Sequence, residues 1–126
     1  MKNHQYKSKI VWTGNTGEST KNYRSYQRYY TISVNGKADI LGSSDPAFLG
    51  NPEFHNPEDL LLASVSSCHL LWYLHLCSVN KILVVEYEDF AEGTMIEKEN
   101  GSGNFSEITL IPRLEVAEKE MKEQAV

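Results

Sequence analysis

The spacing of apolar and polar residues changes several times along the chain, and each change marks an element. Lys9-Ile10-Val11-Trp12 predicts a short first strand, closed by the Gly/Thr/Asn-rich turn over residues 13–20. Tyr23 to Val34, dense in Tyr, Thr, Ile and Val, predicts a longer strand. Asn35-Gly36 is a strong two-residue hairpin signal, with residues 38–41 as the returning strand. A loop of fourteen residues follows, from Gly42 through Asp45-Pro46-Ala47-Phe48 to His55, and that length in a small chain marks a functional segment. Asn56-Pro57-Glu58-Asp59 then opens a helix. Asn56 can accept from a free backbone N–H, Pro57 suits the first helical position, and the two carboxylates face the positive end of the helix dipole. Residues 60–77 contain no Lys, Arg, Asp or Glu, so this helix is apolar nearly all round and is expected to be central and buried. Ile82 to Glu92 reads as a strand, with Val85 and Tyr87 on one face and Glu86 and Glu88 on the other. After the turn at residues 99–104, Phe105 to Val116 resumes the alternation. There Pro112, which cannot donate to a ladder, predicts an edge or a bulge. Residues 117–126 start a charge-laced helix that stops abruptly.

Composition narrows the classes. With 126 residues and 40% hydrophobic content, residues 1–126 are expected to form one α+β domain. The net charge of −5 is uneven: residues 1–50 carry +4 and residues 51–126 carry −9. Neither half presents the basic face that a nucleic-acid partner needs. The apolar helix approaches the length of a membrane span, but three serines, two histidines and one basic flanking residue, Lys81, argue for a core helix, and no membrane partner is expected. The polar start of the chain carries no apolar signal region, and two cysteines without such a signal point to free thiols in the cytoplasm.

The chemistry centres on Cys68, ten residues after Glu58. A free thiol titrates near 8.5, so nucleophilic use requires something that stabilises the thiolate. Cys68 lies too deep in its helix for the dipole to supply this. Arg28, and after it Arg24, on the tyrosine-rich strand are the candidate cations, and Glu58 could hold such an arginine through a bidentate pair. The competing reading is a buried, inert cysteine, and for Cys77 inert packing is the better one. His69 and His75 are six residues apart and do not share a helix face as metal ligands would, so no metal site is expected.

Asn56-Pro57-Glu58-Asp59-Leu60-Leu61-Leu62-Ala63, followed by Ser67-Cys68-His69, resembles the OsmC/Ohr family of thiol-dependent hydroperoxide reductases. Residues 42–48 and 69–77 are similar to its OsmC-like branch, and the resemblance spans roughly Trp12 to Val116. It implies an OsmC-like fold, in which a long antiparallel sheet wraps around a buried central helix, and an intertwined homodimer with active sites at the subunit interface. Cys68 matches the peroxidatic cysteine, which peroxide oxidises to a sulfenic acid, and Glu58 matches the carboxylate that orients the catalytic arginine. Some relatives carry an arginine in the loop where this chain has Leu49. The resolving cysteine of the family lies in a C-terminal helix beyond residue 126. Cys77 cannot replace it, because nine residues of helix place it ~13.5 Å further along the axis and on the other face. Either the chain is a fragment lacking the family's C-terminal helix and strand, or an external thiol resolves the sulfenic acid.

Two functions follow. The first is a thiol peroxidase without a bound cofactor, reducing organic hydroperoxides at Cys68 with Glu58 and Arg28 or Arg24, and recycled by an external thiol or dithiol. The alternative is a non-catalytic protein of the same fold that binds a small apolar ligand at the dimer interface.

Overall fold

β-Branched and aromatic residues pair first. β1 (Lys9–Trp12), β2 (Tyr30–Ser33) and β3 (Ile40–Gly42) form an antiparallel sheet in that order. Ile10 lies opposite Ile32, and Ile32 opposite Ile40, so one row of isoleucines crosses all three strands. The structure, a computed structural model, describes residues 2–125. It divides into two units, Met1–Leu60 and Leu61–Val126, which are taken in turn.

In the first unit the strand expected from Tyr23 begins only at Tyr30. Side chains upstream hold the backbone in turns instead. Asn22 Oδ1 accepts from the Arg24 amide at 2.9 Å, and the buried Ser25 hydroxyl donates to the carbonyls of Ser19 and Asn22 at 3.0 and 2.9 Å. Such local bonds compete with a ladder. The Asn35-Gly36 turn forms, with the Lys37 amide 3.0 Å from the Val34 carbonyl. Only Gly36 has positive φ (79°), so this is not the doubly positive turn of a two-residue hairpin, and the ladder to β3 starts at Ile32 and Ile40. The loop after β3 is tightly bonded. Asp45 caps a single 3-10 turn, Pro46–Phe48, through the Ala47 amide at 2.8 Å. The fully buried Ser43 accepts from the Asn51 amide at 3.0 Å. The Ser43 amide donates to His55 at 2.9 Å, which lays the segment before the helix alongside β3.

α1 (Pro57–Val79) begins at a capping box and runs across the division between the units. Asn56 Oδ1 accepts from the Asp59 amide at 2.8 Å, and Asp59 Oδ2 accepts from the Asn56 amide at 3.3 Å. It ends in a Schellman motif: Lys81 takes the left-handed position, the Ile82 amide reaches the Cys77 carbonyl at 2.8 Å, and the Lys81 amide reaches Ser78 at 3.2 Å.

In the second unit the strand expected over Ile82 to Glu92 is shorter and is followed by one that was not expected, while the strand expected over Phe105 to Val116 breaks in two. β4 (Val84–Asp89) pairs with β7 (Pro112–Val116), and β5 (Glu92–Glu97) with β6 (Gly103–Thr109). The corner is built by Asp89, whose Oδ1 accepts from the Ile111 amide at 2.7 Å while its Oδ2 accepts from the Ser66 hydroxyl of α1 at 2.6 Å. Pro112 takes the first position of β7, where it interrupts nothing. Instead of the expected helix over 117–126 there is a 3-10 turn, Lys119–Met121, and a four-residue helix α2 (Lys122–Ala125); Val126 lies outside the described residues. Cys77, Ile82 and Ala125 are buried together, packed by Tyr73, Val84, Leu114, Val116 and Met121.

The α+β class with antiparallel sheets is as expected. The burial of α1 is not: along its whole length only Cys77 is buried. Leu71, Trp72 and Val79 are 66%, 62% and 64% exposed. A single copy of the chain does not cover its most apolar element. By length and composition α1 could also cross a membrane, a test that core helices of water-soluble proteins pass as well.

Candidate functional site

Cys68 sits on α1 as a free, exposed thiol, whereas Cys77 is free and buried. The helix places them there because residues nine apart point to opposite sides. Within one chain, Cys68 is therefore not packed into the core that holds Cys77. The residue after it, His69, holds the Tyr87 hydroxyl at 3.2 Å through Nδ1 and stacks on Tyr73 at a centroid distance of 6.2 Å. The Tyr87 phenol is raised above its usual range by burial and by the charge of Asp89. The Tyr73 phenol is pushed up to about 12, first by burial and then by its hydrogen bond with Cys77. Tyr73 donates to the Ala125 carbonyl, tying α1 to the end of the described chain.

Glu58 stands in the first turn of α1, where the capping box fixes the backbone. Its side chain is half-buried, and Oε2 is wholly buried with no hydrogen-bond partner among the described residues. The Tyr30 hydroxyl is in the same condition. Both groups belong to the first unit, and the charges of Glu58 and Asp59 add to burial in raising the Tyr30 phenol.

The arginine expected to pair with Glu58 is engaged elsewhere. Arg28 donates through its two terminal nitrogens to the carbonyls of Tyr26 and Tyr23, each at 2.5 Å. Its guanidinium lies 3.9 Å from the Tyr26 ring centroid and 4.6 Å from that of Tyr23. Arg24 is exposed. Leu49 holds a left-handed backbone (φ 62°) at the end of the 3-10 turn, a conformation that costs a leucine about 1 kcal/mol or more.

Two features were not foreseen from the sequence. The Asp89 clamp was hidden because strand alternation says nothing about a corner. Tyr30 falls inside the expected strand without being singled out, although Gly42 directly across the ladder carries a signal: a glycine opposite an aromatic leaves room for the ring to fold over it. In the second unit an open groove of about 930 Å³ is lined by His69, Tyr73, Arg113, Leu114, Val116 and Lys119, among others. No group of three metal-ligating side chains converges among the described residues.

No family model matches the sequence, and no curated protein matches it. Solved structures do. An OsmC-like protein of unknown function from Vibrio cholerae superposes with a TM-score of 0.79 at 24% identity, over 97% of this chain and 84% of its own. An OsmC-like protein from Mycoplasma pneumoniae gives a TM-score of 0.69 at 15% identity, over 98% of this chain and 77% of its own. At such identities the likeness establishes architecture, and on that ground the chain has the OsmC-like fold.

Proposed function

We propose that the protein is a thiol peroxidase that reduces organic hydroperoxides. The reading is carried by one combination: an exposed, free Cys68 on the helix whose first turn holds Glu58, and a Glu58 carboxylate that keeps a buried oxygen without a partner among the described residues. A buried carboxylate oxygen in that condition calls for a cation. An arginine held there is the group that a thiolate needs beside it.

In the proposed step the Cys68 thiolate attacks the terminal oxygen of a hydroperoxide. The sulfur–oxygen bond forms as the O–O bond breaks, and the departing alkoxide takes a proton and leaves as an alcohol. The arginine stabilises first the thiolate and then the alkoxide. Cys68 is left as a sulfenic acid. One external thiol condenses with it, releasing water, and a second thiol then reduces that mixed disulfide and restores Cys68. Cys77 does not serve as the resolving thiol, since a disulfide requires Cα atoms within ~7 Å and nine helical residues exceed that.

Ten residues of helix rise ~15 Å, more than one arginine can bridge between Glu58 and Cys68 of the same helix. The proposal therefore includes a homodimer in which Glu58 and its arginine from one copy act on Cys68 of the other. The exposed apolar face of α1 supports it.

Consumption of cumene hydroperoxide with dithiothreitol as reductant tests the proposal. Wild-type protein is expected to turn over, and Cys68→Ser to fall to the uncatalysed rate. Equal rates for the two proteins would overturn it. The groove beside His69 favours the second reading, a ligand-binding protein, which gains if both are inert.

A further inference from the structure

Two side-chain oxygens in the first unit are buried and unpartnered, and they belong to neighbouring groups. Tyr30 Oη lies at the end of a ring that folds over Gly42: a Cβ on that glycine would stand 2.3 Å from the ring and 2.5 Å from the hydroxyl itself. Gly42 pairs with Tyr30 on one side and bridges to His55 on the other, three residues before Glu58. The ring is thus aimed across β3 toward the first turn of α1, where Glu58 Oε2 is the second unpartnered atom. The charge of Glu58 reaches the phenol and helps to keep it protonated, which places the two groups in one electrostatic neighbourhood.

Left as they are, a buried hydroxyl and a buried carboxylate oxygen are each destabilising, the charged one more so. They do not bond each other, and one donor group placed between them would satisfy both. That group has to donate to a carboxylate, meet a phenol oxygen and offset negative charge in a place where Asp59 adds more. A planar guanidinium does all three, since its nitrogens fork toward two acceptors at once.

We propose that Tyr30 and Glu58 together seat one guanidinium, and that Tyr30 is a positioning residue for the arginine that acts on the thiol. The assignment rests on the thiol-peroxidase reading for its purpose, but the seat itself does not. Arg28 and Arg24 are the two sources within the same unit. Arg28 precedes Tyr30 by two residues and reaches the seat by leaving the Tyr23 and Tyr26 carbonyls.

The test uses Arg24→Ala/Arg28→Ala protein with 13C-labelled tyrosine, titrated with guanidinium chloride at millimolar concentration against sodium chloride as control. A saturable shift of the Tyr30 ring carbon with guanidinium, absent with sodium and lost in Glu58→Gln, is expected. No saturable Tyr30 shift overturns the seat. Should Glu58→Gln fail to fold, urea in place of guanidinium carries the control, since an uncharged planar donor should leave the Tyr30 signal unmoved. In the single Arg28→Ala and Arg24→Ala proteins, guanidinium should rescue peroxide consumption in whichever has lost the source. Adding Tyr30→Phe should weaken that rescue about tenfold, the effect of one hydrogen bond to a charged group. Undiminished rescue overturns the role of Tyr30. Wild-type protein inert to peroxide with a saturating Tyr30 shift refutes the peroxidase and keeps the seat. Turnover with no shift does the reverse.

Discussion

Cys68 and Cys77 share one helix and differ in their access to solvent. One is exposed; the other is buried with Ile82 and Ala125 and packed by Tyr73. Iodoacetamide on the native protein is therefore expected to label Cys68 well before Cys77, as read by peptide mass mapping. Labelling in the opposite order would remove the basis for the site. Tyr73 gives a second expectation. Its phenol titrates near 10 when unfolded and at about 12 in the folded chain, so between those values the unfolded state releases a proton that the folded state keeps. The stabilisation is whole below pH 10 and is lost as pH rises toward 12. Urea midpoints measured across that window should fall, and fall less in Tyr73→Phe. At this scale the sequence was informative about Cys68 and Glu58, because a cap, a carboxylate and a thiol at fixed spacing are local facts. It was uninformative about Arg28, whose choice of the Tyr23 and Tyr26 carbonyls depends on how the preceding turn folds.

Among the elements, α1 was the most legible. Its start was written in Asn56-Pro57-Glu58-Asp59, and the capping box is the observed form of that signal. Asn56→Ala is expected to cost about 1 kcal/mol of stability in chemical denaturation. The strands were less legible where side chains, rather than alternation, set the backbone. Asn22 and Ser25 shorten β2 from within the chain, and Asp89 turns the corner between β4 and β5. Neither effect has a periodic trace. β5 itself escaped notice because Gly93 and Thr94 interrupt any apolar rhythm in Glu92–Glu97. The Tyr30–Gly42 pair is the sharpest test at this scale. Gly42→Ala would press a methyl into the Tyr30 ring at 2.3 Å. Thermal or urea unfolding should show a loss of about 1–3 kcal/mol, the ordinary cost of overpacking. A neutral Gly42→Ala would mean that the ring is not held over β3.

For the whole molecule the unsolved quantity of the single chain is the apolar face of α1. A helix with no charge from Leu60 to Cys77 and with Leu71 and Trp72 turned outward presents an apolar face of the kind that association covers. Equilibrium sedimentation is expected to find a dimer, and Leu71→Glu to shift it toward monomer with loss of peroxide turnover, because Glu58 and Cys68 then lose their partners in the other copy. An active monomer would contradict the shared site. This face was not legible for a simple reason: apolarity all round a helix does not say what covers it.

The central claim is that Cys68 reacts with peroxide. Intact mass of the purified protein, taken before and after one equivalent of cumene hydroperoxide with dimedone present, tests it most directly. A dimedone adduct that maps to Cys68 and forms rapidly at neutral pH is the predicted result, since only a sulfenic acid is trapped in this way. An unmodified Cys68 after exposure to peroxide would contradict the account and leave the OsmC-like fold in the service of binding.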